Sequence, residues 1–176
     1  MACWFAWFYP FIFRAPHHQK RSSITVAGPT RIGLALETLA IFLAFALYPQ
    51  SDSPPGLPRI VCGVLIGALA SVMAWKSVTH LGRQFRLHAG LYHDHELVRT
   101  GPYGLVRHPI YASLFAMLIC TILLLTPWEW AFLPLALFVI GTEIRVRSED
   151  RLLESRFGDE FREYRRHVRA YVPFVR

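Results

Sequence analysis

Four stretches of this chain are almost empty of charge, and they restrict what it can fold into more than any other feature. Ile32–Tyr48 contains only Glu37, Ile60–Trp75 and Ile110–Thr126 contain no charged residue, and Trp128–Gly141 contains only Glu129. Each is roughly 14–17 residues long and can extend into its flanks toward the ~20 that a helix needs to cross a bilayer. A chain in lipid must satisfy its backbone polar groups within each segment, so such runs read as helices. Only 18% of the residues are charged, against roughly a quarter in soluble domains. The expected fold class is all-α, an integral membrane helical bundle with about four spanning helices, forming one domain over residues 1–176.

The placement of the charges decides the topology. The net charge is +7, which taken alone points to nucleic acid. Yet eighteen of the nineteen Lys and Arg residues fall in Arg14–Arg31, Lys76–Arg107 and Arg145–Arg176, with Arg59 alone elsewhere. Four spans put those three segments on one side, which the positive-inside rule makes cytoplasmic. The partner implied is a lipid bilayer and not nucleic acid, and the sequence carries no signature of oligomeric state. Met1–Phe13 is apolar but short, either the remnant of a span or an interfacial segment with Trp4 and Trp7 at headgroup level. Cys3, Cys62 and Cys120 have no metal-ligand spacing and read as small apolar residues; no metal site is expected.

Two joints are visible. Thr126-Pro127-Trp128 leaves no room for a loop between the last two runs, so these form a tight helical hairpin stopped by Pro127. Beyond it, Leu153, Phe157, Phe161, Tyr164 and Val168 recur at helical spacing among Arg and Glu. Gly158 interrupts that stripe and Asp159 is placed to cap a second helix after it. The C-terminus is therefore expected to be a pair of cytoplasmic amphipathic helices folded back under the membrane domain.

Two cytoplasmic stretches are dense in polar residues. His95–Tyr111 contains a Gly101-Pro102 turn, then Arg107 and His108, with Pro109 where a helix begins. The unbonded N–H groups of that helix start, beside Arg107 and His108, form a natural anion site. The bland reading is a basic anchor at the membrane surface. The second stretch comes directly after the last apolar run, with Arg145 and Glu149 four apart on one helix face, and there the bland reading is an i,i+4 ion pair. The hairpin brings the two stretches to the same membrane face.

Gly-Pro-Tyr-x-x-Val-Arg-His-Pro-x-Tyr, an apolar hairpin, then Arg-x-x-x-Glu-(Asp)-x-x-Leu-x-x-x-Phe-Gly-x-x-Phe-x-x-Tyr resembles the isoprenylcysteine carboxyl methyltransferase family, and related phospholipid methyltransferases share much of it. The resemblance covers about residues 82–173, which it marks as the cofactor-binding catalytic part. It implies methyl transfer from S-adenosyl-L-methionine to a lipophilic or prenylated membrane acceptor, most like protein-S-isoprenylcysteine carboxyl O-methylation. It further implies cofactor contacts at His95, Glu96, Leu97, Val98, Tyr103, His108, Pro109, Ile110, Tyr111 and Glu149. Arg145 would face the acceptor and is the first candidate catalytic residue, with Arg107 the second. Asp150, often Glu in the family, and Phe161, often Tyr, depart from the pattern outside this set.

The chemistry fits those residue types. Methyl transfer from a sulfonium is an in-line displacement, served by positioning and by exclusion of water. A carboxylate acceptor is already ionised and needs no base, only an arginine to orient it. No Gly-x-Gly-x-x-Gly or Walker sequence is present. Phospholipid N-methylation is the alternative. An NADPH-dependent membrane sterol-type reductase shares Arg-His-Pro-x-Tyr but has Asn-Tyr-Gly-Glu where this chain has Ile110, Tyr111, Ala112 and Ser113. A non-enzymatic membrane protein is the remaining class.

Overall fold

A computed structural model describes residues 2–13, 23–25, 29–48, 54–82, 90–92 and 96–171. Seven α-helices occur in chain order among them: α1 Ala2–Phe13, α2 Pro29–Ala46, α3 Leu57–Leu81, α4 Pro102–Leu105, α5 Pro109–Leu125, α6 Phe132–Phe157 and α7 Asp159–His167. A 3₁₀ turn, Trp128–Trp130, joins α5 to α6. Each of the four apolar runs lies mostly on one helix, the last of them entering it through the 3₁₀ turn. The sequence pattern did not announce a short antiparallel ladder, β1 Ser23–Thr25 with β2 Gly90–Tyr92.

The two arms of the hairpin do not pack on each other along their length. Helix α6 lies along α2, and α5 lies along α3 with α1 beside it. Leu118 and Ile122 of α5 join Phe138 of α6 and Ala40 and Ala44 of α2 in one apolar cluster. On the other side Met117 of α5 packs with Ala70 and Ala74 of α3 and Trp7 of α1. Glycines set the closest approaches. A Cβ on Gly33 would lie 2.6 Å from the Gly141 carbonyl oxygen, and one on Gly67 would lie 2.8 Å from Cys120 Sγ. Small residues at helix crossings are the usual means by which membrane helices gain contact, since lipid offers no hydrophobic drive.

The N-terminal segment, left open between a span remnant and an interfacial segment, packs as a helix against the bundle. Trp7 Nε1 donates to Ser113 Oγ and Trp4 Nε1 to Thr121 Oγ1, both at 3.0 Å, so the two indoles face α5. Arg59, the one basic residue outside the three clusters, closes the far end of α5. Its guanidinium donates to the carbonyls of Ile122, Leu123 and Thr126 and stacks on Trp128, satisfying acceptors that a helix end leaves unpaired.

The C-terminal half differs from a pair of separate amphipathic helices. The first of the pair is the continuation of α6, which runs 26 residues without a break. It ends where Gly158 adopts a φ of 52°. Asp159 is the first residue of α7 and not its cap; Gly158 takes the cap position with no side-chain bond. Helix α7 does fold back as expected: Phe161 and Tyr164 are buried, and the Tyr164 hydroxyl donates to the Tyr103 carbonyl at 2.5 Å. The chain then runs beside the start of α5, with the N–H groups of Arg107 and His108 donating to the carbonyls of Arg169 and Ala170 at 2.7 Å.

Candidate active site

Equal arm lengths build the site. From Phe132 to Glu149 is 18 residues, as many as from Leu125 back to His108 at the cap of α5. At 1.5 Å per residue both arms rise about 25 Å from the turn, so Glu149 and Asp150 arrive level with His108. His108 caps α5 with Pro109 as the first helical residue. At that helix start the side chains of Arg107 and His108 are met by the chain's own carboxylates, Glu149 and Asp150.

His108 is buried between them. Its Nε2 donates to Asp150 Oδ1 at 2.8 Å, and its Nδ1 lies 3.4 Å from Glu149 Oε2. With a carboxylate against each ring nitrogen, the ring is an imidazolium. Burial opposes that charge, but the bonds to Asp150 and Glu149 outweigh it and raise the pKa to about 9. The same burial would push both carboxyls up, yet His108 holds each below its ordinary range. The Tyr111 hydroxyl donates to Glu149 Oε1.

These shifts couple stability to pH. A raised histidine pKa contributes stability that is whole below about 6.5, its unfolded value, and fades as pH climbs through 9. The lowered carboxyls contribute above about 4, and that part fades only in acid. The detergent-solubilised protein is therefore expected to melt highest near pH 5–6.5 and to lose about 3 kcal/mol toward pH 9.5. Melting curves against pH check this: His108→Gln should remove the alkaline slope, and an unchanged slope would show that His108 is not its source.

Arg145 and Arg107 take partners that spacing did not foretell. Arg145 is not bonded to Glu149. Its Nη1 donates to Glu37 Oε2 at 2.5 Å, while Thr142 Oγ1 donates to Glu37 Oε1 at 2.9 Å. The guanidinium carbon sits 4.6 Å from the centre of the Tyr111 ring. The i,i+4 pair on this helix is Glu143 with Arg147 instead. Arg107 is no surface anchor. Its side chain is 8% exposed and turned inward, bonded through Nη2 to Asp150 Oδ2 at 2.9 Å and through Nη1 to the Val168 carbonyl.

The remaining candidates divide. Tyr103, on α4, is buried with its ring against His80, and its hydroxyl has no hydrogen-bond partner among the described residues. Ile110 is half-buried beside Tyr111. Glu96 is exposed and Leu97 and Val98 half-buried, with no hydrogen bond to the cluster among the described residues. His95 lies outside the described residues. Sequence reasoning passed over Asp150 and Glu37, which complete the ion network, and His80, which bonds Thr100 and seats Gly101. Glu37 had a signal, as the lone charge inside an apolar run.

The family model for the isoprenylcysteine carboxyl methyltransferase (ICMT) family matches residues 62–155. The chain belongs to that family. An Arabidopsis thaliana protein-S-isoprenylcysteine O-methyltransferase B is 30% identical, with 88% of this chain and 78% of the relative covered. A rice (Oryza sativa subsp. indica) protein named probable protein-S-isoprenylcysteine O-methyltransferase is 27% identical, over 94% of this chain and 88% of its own length. A solved eukaryotic intramembrane Ras methyltransferase ICMT superposes with a TM-score of 0.60 at 24% identity, covering 86% of this chain and 55% of that one. That likeness carries the fold alone, an all-helical bundle. The match of residues 62–155 takes in most of α3, all of α5 and most of α6, hence every charged residue of the cluster except Glu37.

Proposed function

We propose that this ICMT-family protein transfers a methyl group from S-adenosyl-L-methionine to the carboxylate of a lipophilic acceptor such as a prenylated cysteine. One observation carries the reading. The Tyr111 ring has the Arg145 cation over its face and the Glu149 carboxylate on its hydroxyl, placing a group for an anionic acceptor beside one for a cationic donor. The donor, when bound, supplies an electrophilic methyl on a sulfonium. Glu149 and the unpartnered Tyr103 hydroxyl would hold it. Arg145 keeps N–H groups that have no partner among the described residues, and these would orient the acceptor oxygen in line. Arg107 acts at one remove, by fixing Asp150 and the C-terminal segment.

Charge balance favours an acid over an amine. The buried network has three cations, Arg107, His108 and Arg145, and three carboxylates, Glu37, Glu149 and Asp150. A sulfonium donor and a carboxylate acceptor add no net charge to it. A phospholipid ammonium would add one and would also need a base. Each of the three carboxylates already accepts bonds from a buried cation. The reductase alternative loses further ground with the family assignment.

Four spans with the C-terminus cytoplasmic belong to the same reading. Helices α2 and α3 are long and apolar enough to cross a bilayer, α5 is apolar but shorter, and α6 carries its charge beyond Gly141. The whole chain would then be one membrane domain, with its donor-binding part at about 82–173. Calorimetry on detergent-purified protein tests the function. S-adenosyl-L-methionine should bind and NADPH should not, and radiolabelled methyl should pass to a prenylcysteine analogue in preference to phosphatidylethanolamine. Binding of NADPH alone would reverse the assignment.

A further inference from the structure

Glu37 stands outside the residues that the family resemblance or the matched segment assigns. It sits near the middle of α2, 1% exposed, in a helix with no other charge beyond Arg31 near its start. A carboxylate there is costly unless bonded, and both oxygens are bonded to α6, one to Thr142 and one to Arg145. The helix crossing is built for this reach. A Cβ on Gly33 would lie 2.5 Å from Arg145 Cγ, and one on Gly141 would lie 2.7 Å from the Gly33 carbonyl oxygen. A side chain at either position would force the crossing or Arg145 to shift.

The consequence concerns the orientation of Arg145. A flexible arginine on α6 has a natural partner in Glu149, one turn on. Glu37 draws it the other way, over the Tyr111 ring, and leaves Glu149 to Tyr111 and His108. We propose that Glu37 is a positioning residue of the acceptor site: by holding one edge of the Arg145 guanidinium, it directs the remaining N–H groups toward the acceptor carboxylate. It touches neither substrate. The inference rests on the methyl-transfer reading above for the identity of the acceptor, and on geometry alone for the hold on Arg145.

The test uses Glu37→Gln, which keeps shape and the Thr142 bond but cannot hold the guanidinium as an anion. The expected result is a KM for a prenylcysteine analogue raised at least tenfold. S-adenosyl-L-methionine affinity by calorimetry should stay within about threefold, because Glu149 keeps its own bonds. Arg145, released from its partner, should also react faster with phenylglyoxal, read by mass spectrometry of its peptide. Should Glu37→Gln fail to fold, Thr142→Val loosens the same carboxylate without leaving a charge, and a smaller shift in the same direction is expected. An acceptor KM within twofold of wild type overturns the proposal. So does a parallel loss of donor affinity, acceptor KM and melting temperature, which a merely structural pair would give. A wild type that transfers no methyl overturns the functional reading and the acceptor role with it. Unchanged phenylglyoxal reactivity of Arg145 overturns the hold by Glu37 and leaves the functional reading intact.

Discussion

Asp150→Ala is expected to lower the stability of the folded chain by about 3–5 kcal/mol, the cost of removing one partner from a buried ion pair. Asp150 answers two cations at once. Its Oδ2 receives Arg107 Nη2 at 2.9 Å and its Oδ1 receives His108 Nε2 at 2.8 Å. His108 has a way out, because it can lose its proton. Arg107 has none, since a guanidinium stays charged at any relevant pH. The alanine therefore strands a buried cation that also holds the Val168 carbonyl, and the segment over Arg169 and Ala170 is anchored beside it. Two measurements check this: the melting temperature in detergent, and the rate of tryptic cleavage around Arg165–Arg169. Both should change sharply. Arg147→Ala is the control, since it breaks an ion pair with the arginine 63% exposed, worth only a few tenths of a kcal/mol. Equal, small effects of the two substitutions would show that burial of the Asp150 network contributes nothing.

The features legible in the chain beforehand were those of each residue's local setting. The apolar runs located α2, α3, α5 and α6, Pro109 marked a helix start, and Gly158 marked a helix end, because each is a property of neighbouring residues. The hairpin argument worked for a similar reason: Thr126-Pro127-Trp128 leaves no room for a loop, so the second arm returns to the face where the first began. The choice among partners was not legible. Spacing offered Arg145 only Glu149, whereas its partner Glu37 lies on a helix 108 residues earlier. Arg107 had two readings, a membrane-surface anchor or part of an anion site, and the residue that turns it inward, Asp150, arrives on α6. Trp4 and Trp7 had no partner that spacing could name, and Thr121 and Ser113 on α5 offer their ring nitrogens acceptors. Periodicity tells which face a side chain occupies; it does not say which helix will share that face. His95 remains an expectation from the family resemblance.

Glu149→Gln is expected to weaken S-adenosyl-L-methionine binding ten- to a hundred-fold while leaving the fold intact. The substitution keeps the volume, the amide oxygen still accepts from the Tyr111 hydroxyl, and Asp150 still holds His108 when its contact with Glu149 is lost, so the chain stays folded. It removes a charge that the protein maintains against the grain. Burial alone would drive this carboxyl toward its neutral form, and His108 and Tyr111 reverse that, so Glu149 is ionised throughout the neutral range. The other two carboxylates of the network are each bonded to an arginine, Glu37 to Arg145 and Asp150 to Arg107. Glu149 alone has no arginine bonded to it, which leaves it best able to take a cationic ligand. Losing a charge-assisted bond at a partly screened site costs roughly 1.5–3 kcal/mol, which sets the predicted range in affinity. Calorimetric titration of the variant, paired with its melting curve, separates the roles. Unchanged affinity with an unchanged melt would remove Glu149 from the donor site. Lost affinity with a collapsed melt would assign it to the fold, in company with Asp150. Only lost affinity with a preserved melt supports the charge of Glu149 as the group that meets the sulfonium donor.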